Sequence, residues 1–153
     1  MGLVKVQVTV DAPCEKVFEM ARRVEDYPAF MPDVEDVKVL ERDDKTGIAK
    51  VKWIAKVEIG SISKKVRWVE EEQWDPKNLK GTFNQVEGDY KYYGGSWNFE
   101  LSDDNKTKLT LEIDFDLGLP LVGPLINKLL DRLMQTNCQG MLDAIKKRVE
   151  GQK

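Results

Sequence analysis

From Val34 to Leu117 apolar and polar residues alternate almost without interruption, and beyond Pro120 the pattern changes to one long helical stripe. A period of two sends successive side chains to opposite faces of a strand, so this stretch predicts a sheet with one apolar face. Val37 to Glu41 reads as a strand closed by the turn Asp43-Asp44-Lys45-Thr46-Gly47. Ile48 to Ile59 follows, with Val51, Trp53, Ala55 and Val57 on one side, and Gly60-Ser61 breaks it. Ile62 to Trp74 is a long strand ended by Asp75-Pro76-Lys77-Asn78, and Leu79 to Val86 is the next. Residues 87–96 mix tyrosines with glycines and predict a bulge. Trp97 to Leu101 alternates, Ser102 to Lys106 turns, and Leu109, Leu111, Ile113, Phe115 and Leu117 alternate again.

The ends complete the pattern. Val4, Val6, Val8 and Val10 share one face of a first strand. Pro13 suits the start of a short helix carrying Cys14, Val17, Phe18, Ala21 and Val24 at helical spacing. Pro28 and Pro32 then allow only a short helical turn between them. After Gly118 and Pro120, the positions Val122, Leu125, Ile126, Leu129, Leu130, Leu133, Met134, Cys138, Met141, Leu142, Ile145 and Val149 form the stripe of a helix roughly 40 Å long. Short turns make the sheet antiparallel, and only the last helix is long enough to cover its apolar face. The expected fold class is α+β, one domain over residues 1–153: a curved seven-stranded antiparallel sheet wrapped around a long C-terminal helix, with two short helices after the first strand.

Composition excludes several functions. Without histidine there is no Ser-His-Asp triad, no Cys-His dyad and no histidine metal site. A net charge of −3 argues against a nucleic-acid surface, which wants a basic excess. No apolar run approaches the roughly 20 residues of a membrane span, and no charged-then-apolar leader opens the chain, so the cytoplasm is the expected compartment. Gly2 prompts a myristoylation check, but Val6 stands where that motif takes Ser or Thr. Cys14 and Cys138 sit on apolar helix faces and read as buried thiols. Gly94-Gly95 lacks the surroundings of a phosphate loop, and Glu70-Glu71-Glu72 lacks the pattern of a calcium loop.

Several local motifs match a known group in order and spacing. They are Ala12-Pro13, Val24-Glu25-Asp26-Tyr27-Pro28-x-Phe30-x-Pro32, Gly60-x-Ile62-Ser63-Lys64, Val86-Glu87-Gly88-x-Tyr90 and Gly94-Gly95-x-Trp97-x-Phe99. Together they resemble the START-like (SRPBCC) superfamily in its polyketide cyclase/dehydrase group, which also holds coenzyme Q-binding proteins and a bacterial ribosome-association toxin. The resemblance spans essentially the whole chain. It implies a helix-grip fold with a cavity between sheet and helix that takes lipids, quinones or aromatic polyketides. The aromatase/cyclases of the group carry a pocket arginine two residues before an apolar-Asp-Pro run. Here Trp74-Asp75-Pro76 marks that run, and Glu72 occupies the position.

The candidate site follows from the inward faces. On the strand Ile62 to Trp74, the face bearing Trp68 and Trp74 also bears Glu70 and Glu72. These glutamates are candidate catalytic acid and base if their environments separate their pKa values, or surface charges if the strand end is solvated. Trp53, Trp68, Trp74, Phe83, Trp97, Phe99 and Phe115 are expected inward, with Gln85 as a neutral polar group beside them. Leu129, Met134 and Met141 are expected as helix lining, and Tyr27, Phe30 and Met31 as a gate. Tyr90, Tyr92 and Tyr93 fit either a second rim or a partner surface. Three readings follow: a carrier of an apolar small molecule, needing no cofactor; a cyclase or dehydratase; and a protein-interaction module whose partner the sequence does not name.

Overall fold

The computed structural model describes residues 2–59, 62–117 and 124–151. The expected break at Gly60-Ser61, the sheet end at Gly118 and Pro120, Val122, and the side chains of Leu125 and Ile126 lie outside the described residues.

Alternation becomes pairing across seven strands: β1 (Gly2–Val10), β2 (Val34–Asp43), β3 (Ile48–Ile59), β4 (Ile62–Asp75), β5 (Lys80–Gly88), β6 (Tyr92–Leu101) and β7 (Thr107–Asp116). Between β1 and β2 lie a helix α1 (Cys14–Arg22) and a 3-10 helix (Val24–Ala29), and the chain ends in α2 (Pro124–Gly151). The order across the sheet is β1-β7-β6-β5-β4-β3-β2, antiparallel throughout. This is the helix-grip arrangement expected from the sequence. β1 and β2 are the edges.

Two local expectations are corrected. The segment 87–96 is not one irregular stretch, because β6 begins at Tyr92 and pairs with β7 along its length. Its glycines serve close approach: a Cβ on Gly95 would stand 2.0 Å from the Glu112 carbonyl oxygen. The bulge falls earlier. Val69 pairs with Glu87 and Glu70 with Gln85, which leaves Val86 as the extra residue of β5. β2 carries two more irregularities, at Glu35 and Leu40.

α2 is 28 residues, about 42 Å at 1.5 Å per residue, and Pro124 is its first residue, where the missing N–H does no harm. Leu130, Met134, Cys138, Leu142, Ile145 and Val149 form its buried stripe. Leu129, expected as lining, is 43% exposed and faces away. On one flank α2 also covers the free edge of β1. Gln135 Nε2, Gln139 Nε2 and Lys146 Nζ donate to the carbonyls of Lys5 (3.5 Å), Gln7 (3.3 Å) and Thr9 (2.7 Å). α1 closes the far end of the sheet, with Phe18 edge-on to Trp74 at 5.8 Å and to Phe99 at 5.3 Å.

Truncating the buried stripe should therefore weaken the fold as a core change does. Leu142→Ala is expected to cost about 2–5 kcal/mol in urea unfolding, and Leu129→Ala to stay within about 0.5 kcal/mol. Equal costs would contradict this packing.

Candidate functional site

Register builds the site. Trp53 of β3 pairs directly with Trp68 of β4. On a shared inner face this pairing stacks the two indoles at 5.7 Å with 3° between their planes. Trp68 leans on Tyr90 at 5.4 Å and on Tyr93 at 5.1 Å, and Phe83 meets Tyr93 at 5.7 Å. These rings form one wall of a cavity of about 270 Å³. Leu111 and Ile113 of β7 and Trp97 of β6 continue the wall, and Met134, Asn137, Cys138 and Met141 of α2 face it. The mouth lies where the lining is exposed, between Pro32 and Asp33, Lys56, and Gly140 of α2.

Two acids stand in this wall. Glu70 is 4% and Glu72 2% exposed, so the surface reading of these side chains is wrong. Each accepts from the indole two residues away: Trp68 Nε1 donates to Glu70 Oε1 at 2.7 Å, and Trp74 Nε1 to Glu72 Oε1 at 2.9 Å. The i, i+2 spacing puts indole and carboxyl on one face, which is why the bonds form. Glu72 Oε2 and Trp53 Nε1 are buried without a hydrogen-bond partner among the described residues, although Trp53 lies near enough to favour the charged form of Glu72.

Burial, then the neighbouring Glu72 carboxyl, pushes Glu70 well above the usual carboxylate range. Burial also raises Glu72, opposed by the Glu70 carboxyl beside it, the Trp74 and Trp53 indoles and the charge of Arg42. The pair titrates as a unit, with Glu70 the member that keeps its proton higher. Burial likewise raises the Tyr90 and Tyr93 phenols and takes the Cys138 thiol up to about 12.

The structure gathers some expected residues and scatters others. Met31, Trp53, Trp68, Glu70, Glu72, Phe83, Trp97, Met134 and Met141 line the cavity. Tyr27 does not gate it: fully buried, its hydroxyl donates to the Ala21 carbonyl and its ring packs on Trp53. Phe30 lies half-buried under the Arg148 guanidinium, 4.5 Å from the ring centre. Trp74 and Phe99 point inward but are packed on α1. Trp74 instead borders a smaller cleft with Arg42 and Gly47. Phe115 is core beside Gly2, and Gln85 is occupied by the backbone of Tyr90, donating at 2.7 Å and accepting at 3.2 Å. Sequence reasoning missed Cys138, one helical turn from Met134, and Leu111 and Ile113, which continue an inward face. Tyr90 and Tyr93 had no period to place them.

Comparison with known proteins fits this geometry. The family described as "Polyketide cyclase / dehydrase and lipid transport" matches residues 10–142. A bifunctional cyclase/dehydratase of the actinorhodin polyketide synthase of Streptomyces coelicolor is 33% identical over 106 residues, covering 68% of this chain and 31% of that protein. The chain thus spans about a third of that relative. The ribosome association toxin RatA of Pseudomonas aeruginosa is 28% identical over 131 residues, covering 83% of this chain and 86% of the toxin. Among solved structures, TTHA0849 from Thermus thermophilus superposes with a TM-score of 0.88 at 34% identity over 99% of both chains. The fold and the cavity define a helix-grip protein of the START-like class. The chain belongs to the polyketide cyclase/dehydrase and lipid transport family. Among its described residues no helix is long and apolar enough to cross a membrane.

The raised carboxyls set a pH dependence. A group whose folded pKa exceeds its unfolded value, about 4.3 for Glu, favours folding below that value and loses the contribution as pH rises through the folded pKa. Glu70→Gln should therefore gain stability relative to the parent chain on going from pH 4.5 to pH 8. A gap between the two urea midpoints that does not change with pH would contradict the burial of an ionisable Glu70.

Proposed function

We propose that this protein binds and carries an apolar small molecule with a ring system in the cavity between β3–β7 and α2. One observation carries the reading: an internal space of about 270 Å³ walled by Trp53, Trp68, Phe83, Tyr93, Ile113 and Met134, with an opening at Lys56 and Gly140. Apolar walls with a few convergent polar groups are what small-molecule sites present. The volume lies just under the usual range of about 300–1,000 Å³, which favours a compact ring over a long acyl chain. Two free buried thiols, Cys14 and Cys138, suit a reducing compartment, so the carrier is read as cytoplasmic.

A second reading rests on the carboxyl pair. Glu72 would withdraw a proton from a carbon beside a carbonyl while a protonated Glu70 donates to the carbonyl oxygen that the new C–C bond turns into a hydroxyl, as a cyclase requires, or to a hydroxyl that leaves as water, as a dehydratase requires. Turnover of a cyclising poly-β-ketone by the parent chain, lost in Glu70→Gln/Glu72→Gln, would establish it, and equal turnover in both would exclude it.

The carrier reading has a direct test at the mouth. A Cβ on Gly140 would meet nothing within 4 Å, so a side chain there has room, and replacing a helical glycine does not weaken the helix. Gly140→Phe is expected to keep the melting temperature and to weaken binding of a naphthalene probe, read by quenching of indole fluorescence, by about tenfold. Native mass spectrometry should find a small molecule on the freshly purified chain. Absence of both the copurified ligand and the quenching would sink the carrier reading.

A further inference from the structure

Glu70 and Glu72 present an unbalanced charge. Carboxyls this deeply buried are paired with a cation or kept neutral by a proton. Among the described residues neither forms an ion pair. Arg42, whose charge reaches Glu72, is engaged with Glu25 at 2.5 Å, and Lys56 of the cavity lining with Glu58 at 3.3 Å. The carboxyls have indole N–H groups and one another as neighbours, and Glu72 Oε2, on a side chain 2% exposed that lines the cavity, makes no hydrogen bond among the described residues. The unpartnered oxygen is separate from the clustering of acids, and it points to a ligand that brings a donor.

We propose that the cavity selects an organic cation, a primary or secondary ammonium carried on a flat ring system, whose N–H groups meet Glu70 and Glu72 and whose rings lie among Trp53, Trp68, Phe83 and Tyr93. This deepens the carrier reading and rests on it. Each element of the site fits. An ammonium is donor-only, and Glu72 Oε2 is an acceptor without a hydrogen bond on a residue of the cavity wall. Ring faces attract a cation through their quadrupoles, most strongly where water is excluded. A hard metal ion is poorly served, because among the described residues no three acidic, cysteine or histidine side chains converge. A carboxylate ligand would meet like charge in a dry site. The other titratable groups of the cavity lining are Tyr90, Tyr93 and, from α2, Cys138, all held neutral by burial as is Tyr27 behind them, and Asp33 and Lys56 at the mouth, while Arg42 acts only at longer range. Arrival of a cation therefore displaces protons from the carboxyl pair alone.

Three probes of one shape test this: 2-naphthylmethylamine, 2-naphthalenemethanol and 2-naphthoate, titrated calorimetrically into the full chain at neutral pH. The amine is expected to bind at least about tenfold more tightly than the alcohol, and the naphthoate most weakly. The observed heat for the amine should change with the ionisation enthalpy of the buffer, reporting proton release, and that for the alcohol should not. Glu72→Gln and Glu70→Gln/Glu72→Gln should lose the preference for the amine over the alcohol, while binding of plain naphthalene, which has no polar group to meet them, reports an intact cavity. Alcohol binding equal to or tighter than amine binding, or a preference that survives the double variant, overturns the proposal and leaves the carrier reading standing. Failure of all three probes overturns both.

Discussion

The hollow exists because α2 is fixed to one edge of the sheet. Four residues of helix rise about 6 Å and two residues of strand about 6.6 Å, so Gln135 and Gln139 come into step with the carbonyls of Lys5 and Gln7. Lys146 reaches the next outward carbonyl, that of Thr9. These bonds satisfy backbone acceptors that an edge strand otherwise leaves to solvent. They also hold the helix along β1. The strands that curl over from the other edge carry tryptophans and tyrosines, and these large rings meet one another before they meet α2.

Within that space the carboxyls are an expense the fold offsets only in part. Three indoles crowd around two acids, and two of them donate. The arrangement weakens the core relative to apolar residues of equal volume, as buried polar groups with incomplete partners do. The same side chains give an otherwise greasy wall directionality. Stability is surrendered at the part of the cavity wall that carries Glu70 and Glu72.

Much of this was legible in the sequence. Period two in β1, β3, β4 and β7 gave the inward faces, and the spacing of Trp68, Glu70, Glu72 and Trp74 put the acids on the indole side. What alternation assigns is a face, whereas a site also needs a position along the strand. Trp74 and Phe99 face inward yet lie at the end closed by Phe18, so they are core. Whether Glu70 and Glu72 are wet depended on the same missing coordinate. Tyr27 reads as a gate because it belongs to a short segment too apolar for an idle loop, and its hydroxyl instead finds the Ala21 carbonyl, a partner no pattern announces. Tyr90 and Tyr93 straddle the end of a turn and the start of a strand, where neither periodicity applies. The extra residue at Val86 shifts β5 against β4 and was legible only as irregularity nearby.

The two edges bear on a different property. β1 is roofed by a helix, and β2 is kinked at Glu35 and Leu40, with Glu35 tied to Lys65 at 2.9 Å. A second copy seeking to add its own strand finds no straight, unoccupied ladder on either side. The chain can thus keep an apolar interior open to solvent at high concentration without its sheet being extended from molecule to molecule into fibrils.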